Sequence, residues 1–112
     1  MIANINDKNY TSDVTNAGIP VLLEFISDRC GPCRMMKRIL SEASDERKDI
    51  MFCRVDVEAS PRLTERFGVM STPTFVLIDG ERILAGAVGA RPRAAIDAMI
   101  DGALKTSHYV DT

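Results

Sequence analysis

Cys30 and Cys33 stand two residues apart in Cys30-Gly31-Pro32-Cys33, and a third cysteine, Cys53, stands alone. Three cysteines do not make a disulfide framework, which uses a larger and even number. A single C-x-x-C pair has two ordinary uses. One is dithiol–disulfide exchange, in which a thiolate attacks a disulfide sulfur. The other is half of a zinc site, which needs about four ligands. The remaining soft donors for zinc are Cys53, inside an expected strand, and His108, near the C-terminus, with no second C-x-x-C. Motif context favours redox chemistry.

The elements around the pair sharpen that reading. Ile19-Pro20-Val21-Leu22-Leu23-Glu24-Phe25-Ile26 is a near-continuous apolar run, the pattern of a strand buried on both faces. From about Cys33 to Arg47 the period changes. Met36, Ile39, Leu40 and Ala43 recur as one helical stripe, and Pro32 stands where its missing N–H costs nothing. The cysteines therefore lie at the end of a strand and the start of a helix. Free N–H groups and the helix dipole favour an anion there, so a thiol ionises more readily. Two intervening residues let the sulfurs meet within one turn, and Gly31 and Pro32 restrict how that turn is built.

Further along, Met51–Val57 reads as a second core strand, and Ser60-Pro61 as a cap and first turn of a short helix ending at Gly68. Thr74–Ile78 reads as a third strand, joined through Asp79-Gly80 to a paired strand at Arg82–Val88. Pro92 opens a last helix with Ile96, Met99, Ile100 and Ala103 on one face. The first twenty residues suggest a short strand near Ile2–Ile5 and a helix around Tyr10–Asn16. Strand, helix, strand implies parallel neighbours with right-handed crossovers, and the hairpin adds an antiparallel pair. The expected fold class is α/β, a mixed sheet with helices on both faces.

Composition sets the bounds. The 112 residues suit one domain, expected to span 1–112, able to bury roughly two thirds of its unfolded surface. Hydrophobic residues at 46% and charged residues at 27% describe a globular chain. A net charge of −2 and a pI near 5.3 give no reason to expect nucleic acid or an anionic membrane as the main partner. No apolar run approaches the roughly 18 residues of a membrane helix, so a soluble protein is expected. Met1–Asn9 has neither a basic n-region nor an apolar h-region, so a cytoplasmic location is expected.

The sequence resembles the thioredoxin family. The likeness rests on Val21-Leu22-Leu23-Glu24-Phe25, the full CGPC at 30–33, Ser71-Thr72-Pro73-Thr74-Phe75, Asp79-Gly80 and Val88-Gly89-Ala90, in family order and spacing from about Ile5 to Leu104. The resemblance implies the thioredoxin fold and a general protein-disulfide reductase without a bound cofactor or metal, acting as a monomer. A flavoprotein thioredoxin reductase and disulfide-containing proteins are the implied partners. Cys30 takes the place of the attacking, more exposed cysteine and Cys33 that of the resolving one. Glu24 stands where the family usually has a buried Asp. A carboxylate in an apolar strand is costly to ionise, so its pKa should rise, and it could exchange the Cys33 proton. A solvated strand edge is the alternative for Glu24. Thr72-Pro73 matches the family's cis-proline turn, where the backbone pairs with substrate. An ordinary trans bond is the alternative.

Departures from the family pattern point to altered partner choice. Arg29 replaces a Trp before the first cysteine, Ile26 replaces an aromatic in the preceding strand, and Arg38 replaces a helix proline. There is no Trp at all. Arg29 could stabilise the Cys30 thiolate, and with Arg34, Lys37 and Arg38 it forms a basic cluster that could steer acidic partners. Solvated surface charge is the alternative for each. Cys53 is expected to be a small buried hydrophobe, and Met70 is the methionine placed to touch a substrate. A reductase dedicated to few partners and a non-catalytic interaction module remain the alternative functions.

Overall fold

In a computed structural model that describes residues 1–110, and side chains through residue 106, the order of elements follows the expected one. Strands β1 (Ala3–Ile5), β2 (Val21–Ile26), β3 (Met51–Asp56), β4 (Thr74–Asp79) and β5 (Arg82–Val88) alternate with α1 (Gly31–Glu46), α2 (Pro61–Arg66) and α3 (Arg93–Val110). The expected first helix is a five-residue segment in the wider π geometry, Thr11–Thr15. The five strands form one mixed sheet in the order β1-β3-β2-β4-β5.

β2 lies at the centre, and Val21, Leu22, Leu23, Glu24 and Phe25 are all fully buried. Successive side chains point to opposite faces. Leu23 and Phe25 therefore join Tyr10, Val14, Cys53 and Leu63 in one core layer. Leu22 joins Met36, Leu40, Phe75, Ile96 and Ile100 in the other, beneath α1 and α3. Glu24 shares the Leu22 face, so its carboxyl belongs to the side covered by the cysteine-bearing helix. Burying any one of these large side chains contributes about 1.5–3 kcal/mol.

One expectation about topology fails. β3-α2-β4 does not give parallel strands: β4 runs antiparallel to β2, which is itself parallel to β3. Length explains the difference. α1 has 16 residues, about 24 Å, enough to return the chain along the sheet. α2 has 6 residues, about 9 Å, and cannot retrace a strand of about 20 Å. β4 therefore starts near the end where β3 finished. The turn after it uses Gly80 at φ 62°, the left-handed conformation that favours glycine.

Ser60 is also not the cap expected of it. Its hydroxyl makes no capping hydrogen bond, although the residue is buried. The Asp7 carboxylate accepts instead from the Arg62 and Leu63 N–H groups, at 3.1 and 3.0 Å. The first turn of α2 is thus satisfied from 55 residues away, a tie between the N-terminal turn and the middle of the chain.

Candidate active site

β2 ends at Ile26, four residues turn, and α1 begins at Gly31, so the strand end and the helix start hold the cysteines between them. Cys30 caps the helix in an extended conformation, and Pro32 lies in the first turn. Cys30 and Cys33 form a disulfide, with Cα atoms 5.2 Å apart. The Cys33 N–H donates to Cys30 Sγ at 3.1 Å. When the bond is reduced, that same donor faces a Cys30 thiolate at the positive end of a 16-residue helix. Both cysteines are 8% exposed. The expectation that Cys30 is the more exposed is not met in this oxidised form, where the covalent bond holds the two sulfurs side by side. The asymmetry resides in the N–H bond to Cys30 Sγ. Gly31 has open space where a Cβ would stand, so packing does not demand the glycine.

Beneath the helix, Glu24 is fully buried, which excludes the solvated-edge alternative. Parallel register sets Glu24 opposite Arg54 of β3, and Arg54 Nε donates to Glu24 Oε1 at 2.9 Å. Burial raises the Glu24 pKa, and the bond and charge from Arg54 offset only part of that rise. Glu24 Oε2 and Arg54 Nη2 are both buried without a protein partner. A half-satisfied pair of this kind costs stability. It also leaves one carboxyl oxygen free to take a proton.

The Thr72-Pro73 peptide bond is cis, as the resemblance implies. Ser27 and Thr72 hydroxyls meet at 3.0 Å, which ties this turn to the loop just before Cys30. Gly89 N–H donates to Pro73 O at 2.8 Å, and Thr74 Oγ1 to Ser71 O at 2.7 Å. Met70, at 95% exposure, stands beside the turn. Arg29 is exposed and Arg38 pairs with Glu42 at 3.2 Å on the helix surface.

The protein-family model described as thioredoxin matches residues 1–102. The chain belongs to the thioredoxin family. A thioredoxin of Haemophilus influenzae is 34% identical over 96 residues, covering 85% of this chain and 90% of its own length. A thioredoxin of Streptomyces clavuligerus is 30% identical over 96 residues, covering 86% and 90%. A bifunctional thioredoxin reductase/thioredoxin of Mycobacterium leprae is 34% identical over 93 residues; the match covers 82% of this chain and spans one fifth, 20%, of that longer protein. Family membership and a Cys-x-x-Cys pair at disulfide distance support thioredoxin-like disulfide reductase function.

Two contributors to this thioredoxin site were not singled out from the sequence. Arg54 is there only one member of the Met51–Val57 strand; the register sets it opposite Glu24. Ser27 reads as a turn residue; only the fold brings it to Thr72. The metal alternative gains no support: Cys53 is fully buried in β3, and burial pushes its thiol up to about 12. The His108 side chain lies outside the described residues. Among the described residues no three His, Cys, Asp or Glu side chains gather where they could hold a metal, and no helix is long and apolar enough to cross a membrane.

Proposed function

We propose that this chain works as a single-domain, monomeric, cytoplasmic protein-disulfide reductase with Cys30 as nucleophile and Cys33 as resolving thiol. The observation that carries the assignment is the Cys33 N–H bond to Cys30 Sγ, because it stabilises negative charge on Cys30 and on no other sulfur. The Cys30 thiolate attacks one sulfur of a substrate disulfide. That bond breaks, a mixed disulfide forms, and the first substrate thiolate leaves. Cys33 loses its proton to Glu24, attacks Cys30 Sγ, and releases the second substrate thiolate. The substrate gains two electrons and the protein is left as the Cys30–Cys33 disulfide. Burial raises the Glu24 pKa above its ordinary value, which makes the carboxylate a better acceptor for the Cys33 proton, to be returned in the next cycle.

In this reading Gly31 and Pro32 tune the dithiol–disulfide balance through the shape of the first turn, and Arg29 adds positive charge next to Cys30. The backbone at Thr72-Pro73 pairs with the substrate segment, held in position by the Ser27 hydroxyl. A thioredoxin reductase recharges the disulfide; a relative that carries thioredoxin reductase and thioredoxin in its name supports that partner. No cofactor enters the scheme, since the electrons pass through sulfur alone.

The test is reduction of insulin disulfides by dithiothreitol with and without the protein. Acceleration that vanishes in Cys30→Ser, with a stable mixed disulfide trapped by Cys33→Ser, is expected. A folded, reduced wild-type protein that gives no acceleration overturns the proposal.

A further inference from the structure

Beside the disulfide lies a cleft of about 150 Å³ lined by Cys30, Cys33, Arg34, Lys37, Arg54 and the Asp28 carboxylate, among others. Ile26, the last residue of β2, also lines it. Three cationic groups and one carboxylate border it. Arg34 and Lys37 are exposed and have no ion-pair or hydrogen-bond partner among the described residues. Arg54 reaches the cleft from below, with its side chain 15% exposed and its buried Nη2 unpartnered. The Arg54 charge is only partly answered by Glu24, whose burial favours the neutral form. The cleft is thus net positive and ends at the reacting sulfurs. At about half the smallest volume of usual small-molecule sites, roughly 300 Å³, it is too small for a nucleotide-sized ligand but admits one carboxylate side chain.

We infer that this cleft is a carboxylate subsite, and that the preferred substrates are protein or peptide disulfides with an Asp or Glu close to the attacked cysteine. The inference rests on the reductase reading above and names its substrate class. It also divides the basic cluster seen in the sequence. Arg34 and Lys37 line the subsite, while Arg38 is turned to Glu42 and lies outside it. Such a charge pair near the sulfurs would act at encounter and in the mixed disulfide, where the substrate segment is held in register.

The test uses three peptides with the same disulfide and one flanking position set to Glu, Gln or Lys. Second-order rates of reduction by the dithiol protein are followed by acid quench and chromatography. The Glu peptide is expected to react about tenfold faster than the Gln peptide at low salt, and the Lys peptide more slowly than either. The Glu-to-Gln ratio should fall towards one in the Arg34→Gln/Lys37→Gln double variant and hold in Arg38→Gln. A wild-type ratio near one, with all three peptides reduced, overturns the subsite and leaves the reductase reading intact. An equal collapse of the ratio in Arg38→Gln also overturns it, because a diffuse surface field would then be responsible. Failure to reduce any of the peptides, or insulin, overturns both readings.

Discussion

Among the arginines of this protein that bind carboxylates, Arg47 and Arg54 do so in opposite ways. Arg47, at the end of α1, donates to Asp49 and Asp101 at 2.7 Å and to Asp97 at 3.3 Å, joining α1 to α3. Its acceptors are partly exposed. Arg54 donates to one fully buried carboxyl and leaves an atom of each partner without a protein hydrogen bond. The first arrangement holds Asp49 below its ordinary pKa, through the Arg47 bond. The second leaves Glu24 above its own. Satisfied and partly exposed, an ion pair fastens two helices. Buried and half satisfied, it leaves the carboxyl above its ordinary pKa on the face of the sheet that carries the cysteine-bearing helix. The same chemical pair thus fastens two helices at one end of α1 and, under the proposed function, serves proton transfer beneath the other.

The comparison breaks first at Glu24. Glu24→Gln keeps the shape and removes the titration, and we expect a loss of roughly a hundredfold in the resolving step near neutral pH, with a flattened pH–rate profile. An unchanged profile would remove Glu24 from proton transfer. Stability supplies a second readout of the same variant. The folded pKa of Glu24 lies above its ordinary 4.5, so the folded state retains a proton that the unfolded chain loses. Its contribution is most favourable below about pH 4.5 and declines as pH rises through the folded pKa. Denaturant midpoints at acid and alkaline pH should therefore move in favour of Glu24→Gln as pH increases.

At the other end of the helix, Arg47→Ala should cost about 1–2 kcal/mol in urea unfolding at neutral pH and leave insulin reduction unchanged. Because Asp49 has a lowered pKa in the fold, this penalty is present above the ordinary value of 3.8 and fades as pH falls through the folded one. A loss of reductase rate in this variant would erase the contrast between the two arginines. The smallest effect is expected at Arg38, whose pair with Glu42 is a solvated i,i+4 contact. Arg38→Ala should change stability by about 0.3 kcal/mol, within reach only of careful midpoint measurements.

Much of the frame was legible along the chain. The apolar run at Val21–Ile26 marked the central strand, because a strand covered on both faces has no polar side to show. The stripe Met36, Leu40 and Ala43 marked the buried face of α1, and Asp79-Gly80 marked the hairpin. Less legible was whatever depended on distance or count. The direction of β4 followed from a helix too short to span the sheet. The cap of α2 came from Asp7, a residue that local cap rules assign to a different turn.

The site divides along the same line. Spacing and position by themselves put Cys30 and Cys33 at a helix start within reach of each other, because two intervening residues let the sulfurs meet within one turn. Periodicity likewise determined that Glu24 belongs to a strand, since side-chain alternation is local. Only the tertiary structure decided that Glu24 faces Arg54, that Ser27 reaches Thr72, and that Arg34, Lys37 and Arg54 border one cleft. These depend on register and on packing between segments up to 45 residues apart. Such contacts are set by the summed burial of two core layers, and no short stretch of sequence contains that sum.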